Sequence, residues 1–103
     1  MVLITATEAK KRMESTAPFV LLDVRTTAEF EQKRIHGAVL IPDYAIAERA
    51  EWELPDKDAL ILIYCRTGRR SANVAQELIE MGYTNVFDFG GIVSWPYETV
   101  GEA

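Results

Sequence analysis

The chain has 103 residues, enough for one domain with a modest core, and 49% apolar and 26% charged residues are the balance of a soluble globular protein. Its net charge of −5 argues against a general nucleic-acid binder, which needs a basic face for phosphates. No apolar stretch approaches the roughly 20 residues of a membrane helix, Met1-Val2-Leu3-Ile4 is too short for a signal-peptide core, and one cysteine allows no intrachain disulfide. A cytoplasmic domain with no nucleic-acid or membrane partner is expected.

Thr5-Ala6-Thr7-Glu8 is a capping-box pattern that predicts a short helix toward Glu14. Phe19-Val20-Leu21-Leu22-Asp23-Val24 is a continuous apolar run of strand length, the mark of a strand covered on both faces. A second capping box, Thr26-Thr27-Ala28-Glu29, opens a helix to about Lys33. Ala38-Val39-Leu40-Ile41 is a short strand closed by Pro42, and residues 43 to 50 suit a short helix. A turn-rich connection, residues 54 to 58, leads into a strand over 60–64. The strongest helix is Ser71 to Met81, with Val74, Ala75, Leu78 and Ile79 at helical spacing and Gly82 as its stop. Asn85 to Phe89 gives a last strand, followed by Gly90-Gly91 and a short terminal helix near Trp95, interrupted by Pro96. Alternating strands and helices predict an α/β fold with a mainly parallel central sheet and helices on both faces. Ligands in such folds bind at the carboxyl ends of the strands.

Cys65 stands at one such end, where Leu60-Ile61-Leu62-Ile63-Tyr64 gives way to Arg66-Thr67-Gly68-Arg69-Arg70 and a helix start. Backbone N–H groups at a helix N-terminus favour negative charge, and three guanidiniums add to it, so the thiol is biased toward its nucleophilic form. A cysteine buried as an inert hydrophobe is the bland alternative, but a core position would not be ringed with charges. Successive N–H groups of the loop can form a nest for an anion, with Gly68 relaxing the backbone. Arg66, Arg69 and Arg70 can then bind oxyanion oxygens.

A nucleophilic sulfur at the floor of an anion cup suits two chemistries: attack on phosphorus, or attack on sulfane sulfur to give a persulfide. Cysteine phosphatases need a wider loop closed by an arginine six positions after the cysteine. Here position 71 is serine, and the arginine falls one residue earlier, at Arg70.

At these residues the chain resembles a single-domain rhodanese, a sulfurtransferase. The similarity runs from Leu21-Leu22-Asp23-Val24-Arg25 with Glu29-Phe30, through Gly37-Ala38 and Ile41-Pro42, to Gly90-Gly91 and Trp95. Its best match is Cys65-Arg66-Thr67-Gly68-Arg69-Arg70-Ser71, which is similar to the family's six-residue active loop; phosphatase relatives on the same fold carry seven. The resemblance implies one rhodanese-like domain over 1–103 and no cofactor or metal. It implies a Cys65 persulfide, loaded from a small anionic donor such as thiosulfate and discharged to cyanide, a thiol or an acceptor protein. It also implies that the backbone of residues 66 to 70 (Arg66, Thr67, Gly68, Arg69, Arg70) cradles the persulfide while the arginines hold the donor. The family's frequent Gly-His-Ile-Pro-Gly-Ala stretch reads Lys33-Arg34-Ile35-His36-Gly37-Ala38 here, which bears on the turn and the pocket rim rather than on the loop.

Other residues read more plainly. Asp23 and Arg25 are expected to be structural, with Arg25 and Glu29 at the spacing of a helix-start ion pair. Arg69 is the loop arginine most suited to face solvent. The lone His36 reads as a turn residue and is not expected beside Cys65. Gly90-Gly91 and Trp95 are expected to wall the pocket, and Tyr64, Phe87 and Phe89 to lie in the core. Rival functions are a sulfur relay acting on a partner protein, a cysteine phosphatase or arsenate reductase, and a non-catalytic binding module.

Overall fold

The computed structural model describes residues 2–101. In chain order the elements are β1 (Val2–Leu3), α1 (Ala6–Glu14), β2 (Val20–Asp23), α2 (Thr27–Gln32), β3 (Val39–Leu40), α3 (Ile46–Glu53), β4 (Ile61–Cys65), α4 (Arg69–Glu80) and β5 (Val86–Gly91). Single 3-10 turns span Asp43–Ala45 and Ile92–Ser94. The sheet has five strands in the order β1-β5-β4-β2-β3, and every pairing is parallel. No helix among the described residues is long and apolar enough to cross a membrane.

Both expected capping boxes form. The Thr5 side chain accepts the Glu8 N–H, and the Glu8 carboxylate accepts the Thr5 N–H; Thr26 and Glu29 do the same at α2. The unbroken apolar runs are buried on both sides of the sheet, and the period-two alternation of strands divides them between two cores. Ile61, Ile63 and Cys65 pack with Leu22, Val24 and the buried faces of α3 and α4. Leu62 and Tyr64 pack on the other side with Leu21, Phe89, Trp95 and Ala9 of α1. Central strand β4 is buried at all five positions, which fixes Cys65 firmly at its carboxyl end.

The structure departs from expectation in three places. Val2–Leu3 forms a parallel edge strand on β5, with Val2 opposite Phe87 and Leu3 opposite Asp88; both side chains are exposed, so no local pattern announces it. Helix α4 begins at Arg69 rather than Ser71, because Gly68 serves as its N-cap. The helix expected over residues 43 to 50 is a 3-10 turn at Asp43–Ala45 followed by α3 as far as Glu53, whereas the terminal turn, Ile92–Ser94, ends at Trp95 as expected. The helix stop at Gly82 is as expected: Tyr83 N–H donates to Leu78 O and Gly82 N–H to Ile79 O, a Schellman closure.

Candidate active site

Cys65 is 1% exposed, and its Sγ accepts the backbone N–H of Gly68 at 2.9 Å. The chain turns back so tightly because Gly68 adopts φ +106°, left-handed backbone that suits glycine. The loop also needs room beneath it. A Cβ on Gly91 would overlap the Arg66 carbonyl oxygen, so β5 can lie against the loop only as glycine. Val93 N–H then donates to Arg66 O at 3.2 Å and ties the two segments together.

Two buried polar groups lie behind the sulfur; the sequence marks Ser71 only as the end of the loop motif, and Asp88 not at all. Ser71 Oγ lies 3.5 Å from Cys65 Sγ and 2.9 Å from Asp88 Oδ1. Asp88 Oδ1 also accepts the Gly90 N–H at 2.9 Å, so one buried carboxylate fixes both Ser71 and the end of β5. With the Ser71 hydroxyl donating to Asp88 Oδ1, a lone pair of Oγ is left for the sulfur and can accept the thiol hydrogen. Loss of that hydrogen leaves the Gly68 N–H as the donor to the sulfur.

The loop arginines part company. Arg66 and Arg69 are exposed. Arg70 is partly buried in the first turn of α4 and makes a bidentate pair with Glu29, Nη1–Oε1 2.8 Å and Nη2–Oε2 3.0 Å. Glu29 thereby joins the N-termini of α2 and α4. The hydrogen bonds from Arg70 hold its carboxyl down to about 2, from an ordinary 4.5, against the opposing effect of burial. The same bond, together with the Glu29 charge, raises the Arg70 guanidinium against the opposing effect of burial.

The expected Arg25–Glu29 ion pair does not form; each residue has a better partner. Arg25 donates to Asp23 from Nε (3.0 Å) and Nη2 (2.7 Å), and from Nη2 to the Lys33 carbonyl at 2.6 Å. Burial alone would lower the Arg25 guanidinium, but the Asp23 carboxylate prevails and raises it. The structural reading of Asp23 and Arg25 therefore fits. Tyr64 and Phe89 are buried as expected, whereas Phe87 is only partly so. Its ring carries the Arg12 guanidinium 4.3 Å from the centroid.

A cleft of about 260 Å³ adjoins the loop, between Arg25, Glu29 and Lys33 on one side and Arg66, Ile92 and Val93 on the other. His36 and Trp95 lie elsewhere. They line a separate hollow of about 430 Å³ with Lys10, Met13 and Phe19, so Trp95 packs on Phe89 and Tyr97 rather than walling the cleft by the sulfur. The turn that departs from the family pattern is held by Ile35 N–H, which donates to the Tyr64 hydroxyl at 3.1 Å.

Glu29 offers a pH test. Its folded value lies below its unfolded one, so its contribution to stability is complete above about pH 4.5 and is lost as pH falls toward about 2. Glu29→Gln retains the capping geometry, since glutamine also serves at N3, but loses the charged pair. Urea unfolding at a series of pH values should show the variant less stable by about 1 kcal/mol at pH 7, a figure set by partial solvent screening, with the gap closing below pH 3. A gap independent of pH would rule out the charge as its cause.

The family description "Rhodanese-like domain" matches residues 5–97. The thiosulfate sulfurtransferase PspE of Escherichia coli is 38% identical over 71 residues, covering 69% of this chain and 68% of the relative. A sulfurtransferase of Allochromatium vinosum is 37% identical over 93 residues, covering 89% and 85%. The thiosulfate sulfurtransferase GlpE of Haemophilus influenzae is 34% identical over the same length and with the same coverage. Among solved structures, the rhodanese-like domain of an Anabaena protein superposes with a TM-score of 0.88 at 26% identity, covering 99% of this chain and 80% of that one. A rhodanese with anions from E. coli gives 0.77 at 33% identity, covering 82% and 100%. With its parallel five-stranded sheet and its cysteine loop at the end of β4, the chain belongs to the rhodanese-like family of sulfurtransferases.

Proposed function

We infer that this chain moves sulfane sulfur from an anionic donor, with thiosulfate as the model, to a thiophilic acceptor through a persulfide on Cys65. The observation that supports it most is the cup: Sγ at the end of β4, bonded by the Gly68 N–H at 2.9 Å, in a six-residue loop that closes at Arg70. The names of the PspE and GlpE relatives support thiosulfate as donor.

The Cys65 thiolate attacks the outer sulfur of thiosulfate, the sulfur–sulfur bond of the donor breaks, and sulfite leaves with the electron pair. Cyanide or a thiolate then attacks the outer sulfur of the persulfide, and Cys65 departs as thiolate. Neither displacement needs a proton from a side chain. The backbone of residues 66 to 70 is assigned to the persulfide, and Arg66, Arg69 and Arg70 to the donor and the departing sulfite.

Arg70→Ala should lower kcat/KM for thiosulfate by about tenfold to a hundredfold, the worth of a charge-assisted bond of roughly 1.5–3 kcal/mol. Unchanged steady-state kinetics would leave Arg70 with its Glu29 bond as its only role. The reading as a whole is tested by intact mass: a one-sulfur adduct appears with thiosulfate and disappears with cyanide. Cys65-dependent turnover of an aryl phosphate faster than that of thiosulfate would overturn it in favour of phosphatase chemistry. The loop length argues otherwise, since Ser71, buried against Asp88, occupies the position of the phosphatase arginine.

A further inference from the structure

We propose that the hollow of about 430 Å³ on the α1 side of the sheet is a second binding site, and that it takes a small organic cation, an aromatic ring joined by a short carbon chain to a protonated amine. The site is separate from the sulfur, so the inference does not rest on the sulfur-transfer reading. Ile35 and Trp95 of the hollow belong to the core that contains Leu62 and Tyr64, whereas Cys65 packs in the core on the other face of the sheet.

Four segments build the hollow and hold its shape. Helix α1 supplies Met13, the approach to β2 supplies Phe19, and the turn before β3 supplies Ile35. That turn is held by the Ile35 N–H bond to the Tyr64 hydroxyl. The C-terminal segment adds Trp95 and Val100, and it is tied down twice. Val100 exchanges both backbone hydrogen bonds with Arg34, at 2.7 and 2.8 Å, and Trp95 Nε1–H donates to the Glu98 carbonyl at 3.3 Å. Ile35 and Trp95 are buried, whereas Phe19 and Val100 remain 37% and 39% exposed. Large side chains left at that exposure offer apolar surface for a ligand to cover. The volume falls within the roughly 300–1,000 Å³ of small-molecule sites.

Charge then selects the ligand. Glu14 and Glu98 line the hollow and are exposed, and among the described residues neither carboxylate is in an ion pair. Glu14 is also the last residue of α1, where the carbonyl end of the helix adds negative potential. The basic residues of that last turn serve elsewhere. Lys11 and Arg12 line a different hollow with Glu8 and Ser15, and Arg12 lies over the Phe87 ring. Lys10 is the one lysine or arginine among the lining residues. Its ammonium stands 5.4 Å from the Tyr97 ring centroid, so an aromatic face already takes up part of its field. Two carboxylates against one such ammonium leave the hollow net negative, and the rings of Phe19 and Trp95 favour a cation for the same electrostatic reason. A metal ion or ammonium has no hydrocarbon to lay on Phe19 and Val100, and a neutral arene has nothing for Glu14 and Glu98. An arylalkyl ammonium has both parts.

The chain has two tryptophans, and their indole N–H resonances in the 15N-labelled native protein give the test. Trp95 lines the hollow, whereas Trp52 lies outside it at 87% exposure and serves as the internal control. Phenethylamine, 2-phenylethanol and 3-phenylpropionate carry one ring each and a positive, no and a negative charge. They are titrated at low salt and about pH 7.5, where an ordinary imidazole such as that of His36 in the lining is largely uncharged. The amine should shift the Trp95 resonance saturably, with a Kd on the order of 1 mM, and leave that of Trp52 in place. It should bind roughly fivefold to tenfold more tightly than the alcohol, with the acid weakest, and the spread should shrink as salt is added. Glu14→Gln together with Glu98→Gln should bring the amine down to the alcohol, and Lys10→Gln should tighten it. Glu31→Gln together with Glu80→Gln, an equal change of charge away from the hollow, should alter neither. Phe19→Ala should weaken all three ligands alike. The proposal is overturned by a Trp95 resonance that moves with none of the three, or by an amine that binds no better than the alcohol. A preference that survives the Glu14 and Glu98 substitutions, or binding indifferent to Phe19→Ala, overturns it equally.

Discussion

The Cys65→Ser protein is expected to fold as the native chain does and to transfer no sulfur. An alkoxide is not available at neutral pH, and an oxygen does not hold a sulfane sulfur as a stable, reversible adduct, so both half-reactions are lost. Turnover from thiosulfate to cyanide should fall by more than about a thousandfold, the order expected when a covalent nucleophile is removed. The fold should survive because the site already accommodates a polar atom. Serine Oγ can accept the Gly68 N–H in place of Sγ, and Ser71 Oγ stands within reach as a second partner. The serine is thus not buried without hydrogen bonds, and stability should drop by no more than about 1–2 kcal/mol. Urea unfolding and a thiosulfate–cyanide assay read the two halves of this expectation separately. Comparable turnover in the serine variant would take the reaction away from Cys65.

How far such a site can be read from sequence depends on the range of its interactions. The capping boxes at Thr5 and Thr26 were legible because a box is written within four residues and needs no distant partner. The loop was legible for the same reason: a buried strand, a cysteine, a glycine and a helix start follow one another without interruption. Strand β1 was not legible, because two exposed residues form a strand only where the edge of β5 offers its backbone. The partner of Glu29 was misassigned for a related reason. Spacing alone favoured Arg25, four residues before it, whereas the sheet brings α2 beside α4 and delivers Arg70 from 41 positions away. Ser71 was visible as the end of the loop motif, but its bond to Asp88 had no local signal. Their bond spans α4 and β5, and only the parallel order that sets β5 beside β4 puts both behind the sulfur. The Asp23–Arg25 pair was half legible: both residues read as structural charges at the end of a strand, but spacing pointed Arg25 to Glu29, and only the structure shows Asp23 as its partner.

That pair sets the largest expected effect on stability. Asp23→Ala should destabilise the fold by about 3–5 kcal/mol, because it strips the counter-ion from a guanidinium that is 4% exposed. In the native chain the Asp23 carboxylate accepts from the Arg25 backbone N–H, from Nε and from Nη2. Without it, the guanidinium keeps only its bond to the Lys33 carbonyl and its place 5.6 Å from the Tyr64 ring centroid. A loss of that size is a large share of the 5–15 kcal/mol that a typical domain possesses. It should also reach the site, since Asp23 lies opposite Tyr64 in the register of β2 and β4, one residue from the cysteine. The cause can be isolated. If the cost is an orphaned charge rather than a cavity, Arg25→Met added to Asp23→Ala should recover much of the stability, so the two changes together cost less than the sum of each alone. Urea midpoints for the two single variants and the double variant measure this directly. Strict additivity would mean that the two side chains contribute by packing, and that the ion pair at the end of β2 is not what holds this corner of the sheet together.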